Sequence, residues 1–236
     1  FIPRVVCLNG KTVYCPKFLG LPDMIRHSVD NLPPIIDVRM DSRQGRFSLL
    51  NAYNEIGKYF GADRITTIRA YLKALGVHYH FKRLLRKGFS PPEAMELLKS
   101  PGTGKTGTAT KVNLKFAVLG YPYAIYDSFI SVNIVERLRQ LGVMVMTAEN
   151  IHPALLALQR NCDLPKRLFW TLSDIALKAA HLLFKQGRID GVLHLTAFGC
   201  GPDSLLNKLI EMGAKQHRNV PFMTLMIDEH TGEAGM

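Results

Sequence analysis

The sequence predicts an α/β fold: a Rossmann-like parallel sheet with flanking helices, preceded by a smaller, mostly helical N-terminal portion. Two observations carry this. From Leu114 onward, short apolar runs alternate with stretches whose apolar residues recur at helical spacing, the order that builds a parallel sheet. The runs themselves, Lys115–Gly120 and Asp190–Thr196 among them, show little polar alternation, as strands covered on both faces do. The expected division places a loop and helical portion at 1–110, completing an upstream domain, and the Rossmann-like domain at 111–236.

Taken in order, Phe1–Val6 reads as the end of a strand, and Asn9-Gly-Lys11 as a turn between Cys7 and Cys15. A helix is expected from about Pro22 to Val29 and a short strand at Pro33–Val38. Helical periodicity then covers Phe47–Phe60, a stretch from Ala62 into a basic segment, and Ser90–Leu98, which opens on a Ser-Pro-Pro entry. In the second half, strands are expected at Lys115–Gly120, Val143–Met146, Asp190–Thr196 and Val220–Ile227. Helices are expected at Ile130–Leu141, Pro153–Gln159, Pro165–Gln186 and Leu205–Met212, with Tyr121–Asp127 as a loop.

At 236 residues, 47% hydrophobic and 21% charged, the chain can bury a substantial core. No apolar run nears the roughly 20 residues that span a bilayer, so no membrane is expected. A start at Phe1 and a stop in a glycine-rich turn read as a fragment of a longer polypeptide. Four cysteines are too few and too scattered for a disulfide framework, which points to a reducing cytoplasm. The net charge of +11 is concentrated between Arg64 and Lys87. That patch reads as a solvated helix face, with an anionic cofactor or an acidic partner as alternatives; nucleic acid is not expected. His78 and His80, two apart on a helix, face different ways and share no metal.

The chemistry centres on Phe198-Gly-Cys-Gly-Pro-Asp-Ser204, a tight turn between strand and helix. Gly199 and Gly201 let the backbone bend on either side of Cys200, and Pro202 suits a first helical turn. A thiol there lies at the positive end of a helix, which favours the thiolate; the alternative is a cysteine simply buried in a glycine turn. In parallel sheets functional groups gather at the carboxyl ends of the strands, where Tyr121–Asp127, Gly199–Ser204 and Asp228–Glu233 should meet. Ser100–Gly107 imitates a phosphate-binding loop, but Lys99 stands where its first glycine belongs, and the flanking elements come in reverse order. It reads as a basic linker.

Four motifs together resemble the acyl-CoA dehydratase activase-related proteins of the 2-hydroxyacyl-CoA dehydratase and benzoyl-CoA reductase superfamily. They are Cys15-Pro-Lys-Phe-Leu-Gly-Leu-Pro-Asp23, Gly120-Tyr-Pro-Tyr-Ala-Ile-Tyr-Asp127, Phe198-Gly-Cys-Gly-Pro-Asp-Ser204 and Asp228-Glu-His-Thr-Gly-Glu233. The resemblance implies Rossmann-like domains holding an iron–sulfur cluster of the 4Fe-4S type, and a low-potential electron-transfer role. It also implies an acyl-CoA substrate and an ATP-hydrolysing activator as a separate protein or domain. Carried over by motif, Cys15 and Cys200 become the metal ligands. Lys17, Tyr123, Asp127, Gly199, Gly201, Asp203, Glu229 and His230 become the residues beside cluster or substrate. Cys7 could act as a third ligand, while Cys162 reads as structural. The alternative is a non-catalytic α/β module that binds CoA, a phosphate or a partner.

Overall fold

The computed structural model describes residues 1–45, 47–100, 114–159, 162, 164–187, 189–217 and 220–228. The chain divides into two compact units, Phe1–Tyr79 with Leu168–Thr171, and His80–Arg167 with Leu172–Met236. The expected parting at residue 110 lies outside the described residues, as does the Gly102–Gly107 segment.

In the first unit, β1 (Arg4–Cys7) and β2 (Arg39–Asp41) pair in parallel. Between them runs α1 (Pro16–Ser28), which starts six residues before the expected Pro22. Pro16 supplies the reason, since it pre-sets the first helical turn and needs no N–H there, while Pro22 is carried inside the helix. Pro33–Val38, expected as a strand, belongs to no sheet; it lies beside β1 through single bonds from Ile2 N–H to Ile36 and from Arg4 N–H to Val38. The Arg4 guanidinium binds Asp23 of α1 at 2.5 Å and Asp37 at 2.6 Å, tying strand, helix and return segment together. Then come α2 (Ser48–Tyr59) and α3 (Arg64–Arg86), which approach closely: a Cβ on Gly57 would collide with the Thr67 hydroxyl. Leu168–Thr171 joins this unit by a single bridge between Val13 and Trp170 and by the Thr12 and Thr171 hydroxyls, 2.9 Å apart.

The second unit begins within α3, and α4 (Pro91–Lys99) follows. A capping box starts α4, with the Ser90 hydroxyl and the Glu93 carboxylate each serving the other's backbone N–H. Leu84, Leu85 and Ala94 form a small core there. The main sheet contains β3 (Leu114–Leu119), then, after α5 (Pro122–Tyr126) and α6 (Ile134–Gln140), β4 (Val143–Met146). After α7 (Pro153–Leu158) and α8 (Thr171–Gln186) come β5 (Gly191–Ala197), α9 (Gly201–Gln216) and β6 (Phe222–Ile227). Neighbours run β4-β3-β5-β6, every pair parallel, so the expected Rossmann-like α/β architecture is what the chain adopts. Val118, Val145, Leu193, Leu195 and Ile227 pack the core with Leu138 of α6. The expected helix from Ile130 begins only at Ile134, because Val132 and Asn133 take left-handed φ of 49° and 56°.

Candidate functional site at the carboxyl edge of the sheet

The chain leaves β3 toward β4 on one side, then returns to lay β5 on the other side, with β6 beyond it. The carboxyl ends of β3 and β5 therefore form a topological switch point, the place where open α/β sheets leave a crevice for ligands. Gly120 closes β3 with φ of 150°, and a Cβ there would stand 2.6 Å from the Leu195 carbonyl oxygen. Only glycine lets the two strand ends approach this far. Tyr121 follows, buried, its hydroxyl 2.8 Å from the Ser173 hydroxyl of α8. Burial pushes its phenol well above the ordinary value, and the nearby Asp203 charge adds to that. The Tyr123 ring lies 5.8 Å from that of Tyr121 and is exposed.

At the end of β5, Gly199 turns the chain with φ of 72°, and Cys200 becomes the N-cap of α9 without a side-chain capping bond. Ser204 donates its hydroxyl to the Cys200 carbonyl. Asp203 turns inward. It is only 2% exposed, and one oxygen accepts the Ala197 N–H at 3.1 Å, which pins the turn to the end of β5. Its other oxygen stands 3.5 Å from Nε2 of fully buried His194. His194 Nδ1 meets Asn207 at 2.9 Å, and Thr224 of β6 reaches the same amide at 2.8 Å. Sequence reasoning missed His194, Asn207, Thr224 and Ser173. One signal was present: His194 is the lone imidazole inside an apolar strand.

The other expected positions fall as follows. Asp127 is exposed and caps a local turn, accepting from the N–H groups of Phe129 and Ile130. Gly201 opens α9 on the surface. Glu229 and His230 lie outside the described residues, while Asp228 directly follows β6 at the same carboxyl edge. Cys200 and Tyr121–Asp127 thus share one edge of the second unit's sheet. Cys15 and Lys17 belong to the first unit, Cys15 as the half-buried N-cap of α1 and Lys17 exposed in its first turn. Cys162, with φ of 49°, lines a cavity of about 110 Å³ with Leu177, Phe184 and His217.

Cys7 proves to be the most enclosed thiol, fully buried at the carboxyl end of β1. Burial pushes it up, but the Ser42 hydroxyl at 3.5 Å, with the backbone groups of Asn9 and Gly10, leaves it below the ordinary thiol value. Ser42 itself accepts the Gly10 N–H at 2.9 Å. This cradle was not legible beforehand, because Ser42 is 35 residues from Cys7.

Residues 1–151 match a family model described as the CoA enzyme activase uncharacterised domain. No curated protein matches the chain. The family match corrects the expectation of an iron–sulfur redox protein with a low-potential electron-transfer role: the family is described as an activase domain, not as a dehydratase component that carries such a cluster. The geometry agrees, for among the described residues no three His, Cys, Asp or Glu side chains gather as metal ligands. Cubane clusters are held by about four thiolates converging on one point. No helix among the described residues is long and apolar enough to cross a membrane.

Proposed function

The chain belongs to the CoA enzyme activase uncharacterised domain family, and from that premise we propose that it is an activator-side α/β module. It engages a CoA-dependent dehydratase component in the cytoplasm and uses the switch-point crevice of its sheet as the working site. The observation that carries this is the convergence of the Gly120–Tyr123 and Gly199–Asp203 turns on one crevice. The first presents an exposed aromatic ring and the second a thiol-bearing helix start, over a buried polar support. Rigid support under exposed groups is what a contact site requires.

Co-purification of the chain with a 2-hydroxyacyl-CoA dehydratase, followed by an activation assay, tests the proposal. Cys200→Ala and Tyr123→Ala should leave complex formation in place and lower activation by about tenfold or more. Full activation by both variants would remove the crevice from the mechanism, and absence of any complex would defeat the partner assignment.

A second reading rests on the start of α9. No side-chain hydrogen bond caps it, Pro202 has no N–H and the Ser204 N–H donates to the Cys200 carbonyl, so the Gly201 and Asp203 N–H groups are the ones that would receive an anion such as a CoA phosphate. Calorimetric titration with CoA, which should bind more weakly as salt rises, tests this; no heat of binding at low salt refutes it.

A further inference from the structure

One face of α3 is apolar and exposed. Ile65, Ile68, Leu72, Leu75 and Tyr79 follow each other at spacings of three, four, three and four residues. Those are the a and d positions of two heptads and the first a position of a third, and on a helix they form one stripe. Ile65 is 62% exposed, Leu72 60%, Leu75 43% and Tyr79 66%, with Ile68 half-buried. The helix's contacts with α2 lie to one side of this stripe: Thr67 sits against Gly57, and the Tyr71 ring is 5.1 Å from that of Tyr53. These are c and g positions, so α2 leaves the seam open. Soluble proteins rarely leave so ordered an apolar row to water unless something binds it.

Charge identifies the binder. From Arg64 to Pro92 the chain holds seven Lys and Arg and no Asp or Glu. Arg64 occupies a g position and Arg69 an e position, the two places that select a coiled-coil partner by charge. A second copy would set Arg64 against Arg69 of its mate, like against like. We propose that this stripe is a coiled-coil docking surface for an acidic amphipathic helix of a partner protein, one with apolar residues at a and d and Asp or Glu at e and g. The assignment deepens the partner half of the activator proposal and does not use the crevice.

The probe is a labelled heptad peptide with Leu at a and d and Glu at e and g, compared with the same peptide carrying Lys at e and g. Fluorescence anisotropy against the whole chain should show the Glu peptide binding at least about tenfold tighter. Leu72→Asp with Leu75→Asp should abolish that binding, and circular dichroism should remain unchanged because both side chains are exposed. Arg64→Glu with Arg69→Glu should reverse the preference toward the Lys peptide. Equal binding of both peptides, or binding indifferent to Leu72 and Leu75, overturns the proposal. So does failure of the Glu peptide to bind while vesicles of phosphatidylserine and phosphatidylcholine do, which would assign the face to membrane. Self-association in ultracentrifugation that the Leu substitutions abolish would assign it to a second copy instead. Dehydratase complex formation scored separately keeps this outcome distinct from the activator proposal: Leu72 and Leu75 variants report the docking stripe, and Tyr123→Ala reports the crevice.

Discussion

Replacing Gly120 by Ala tests whether the crevice depends on the close approach of two strand ends. The added Cβ would stand 2.6 Å from the Leu195 carbonyl oxygen, where ordinary contact is no closer than 3.4 Å. Because that neighbour is backbone inside a paired strand, it cannot swing aside. Overpacking of this kind costs about 1–3 kcal/mol. The φ of 150° adds a backbone penalty of about 1–3 kcal/mol for any residue with a Cβ. The sum is about 2–6 kcal/mol, or a fall in melting temperature on the order of 4 °C or more for a unit of this size. Gly199→Ala is the control: its φ is 72°, but nothing lies within 4 Å of the new Cβ. It should cost about 1–2 kcal/mol, the conformational part alone. Urea unfolding followed by circular dichroism measures both. A Gly120→Ala loss no larger than the Gly199→Ala loss would refute the close-approach argument.

Two further outcomes are expected. The Asp23 carboxyl is held at about 2, below its ordinary 3.8, chiefly by the hydrogen bond from Arg4. Its charged form therefore adds stability that is present above pH 3.8 and is lost as pH falls toward 2. Arg4→Ala should flatten the acid limb of a plot of urea midpoint against pH, and an unchanged slope would contradict it. Asn207→Asp keeps the shape of the side chain but offers no N–H. It should cost at least about 1–3 kcal/mol, because a donor to His194 is lost and a charge is brought beside a buried imidazole. Urea unfolding measures the loss, the imidazole nitrogen chemical shifts of His194 report which ring nitrogen carries the proton, and undiminished stability would contradict the reasoning.

The strands of the second unit were legible because a strand buried on both faces must be apolar throughout, and Val192–Leu195 and Ala117–Leu119 are so but for His194. The helix starts were less legible. Pro122 begins α5, but the helix is five residues long, too short for a periodicity to show, and it reads as a loop. At α6 the apolar spacing continues back to Ile130, whereas the Asp127 carboxylate bonds to the Phe129 and Ile130 N–H groups and turns the chain there. Cys200 and Tyr123 were legible as an edge because strand order places loop ends. Asp203 was legible only as a neighbour of that edge; its burial and its bond to Ala197 come from packing no local pattern encodes. The motifs identified the kin of the chain and not its part in the partnership. A cysteine flanked by glycines presents a thiol equally well to a metal, a partner or a ligand, so the same residues supported an electron-transfer role that the family assignment overturns.

Beneath the crevice a chemical inconsistency determines how the support works. Asn207 Oδ1 faces both His194 Nδ1 and the Thr224 hydroxyl, so in a neutral ring Nδ1 carries the proton and Nε2 is bare. Bare Nε2 then meets Asp203 Oδ1 at 3.5 Å, and both atoms are buried without a hydrogen-bond partner. Turning the Asn207 amide over changes every link at no cost in shape. Its N–H groups then donate to His194 Nδ1 and to the Thr224 oxygen, and the Nε2 proton faces Asp203 Oδ1 across 3.5 Å. One rotation thus turns a contact between two bare acceptors into an attractive one, although neither atom gains a short hydrogen bond. In that arrangement β6, α9, β5 and the Cys200 turn are joined by one chain of polar contacts: hydrogen bonds from Asn207 to His194 and Thr224 and from the Ala197 N–H to Asp203, with the 3.5 Å His194–Asp203 contact between them. A group that moved Cys200 would have to break that chain or carry β5 with it. The turn is therefore a fixed platform, and whatever binds at the crevice must fit the thiol where it stands.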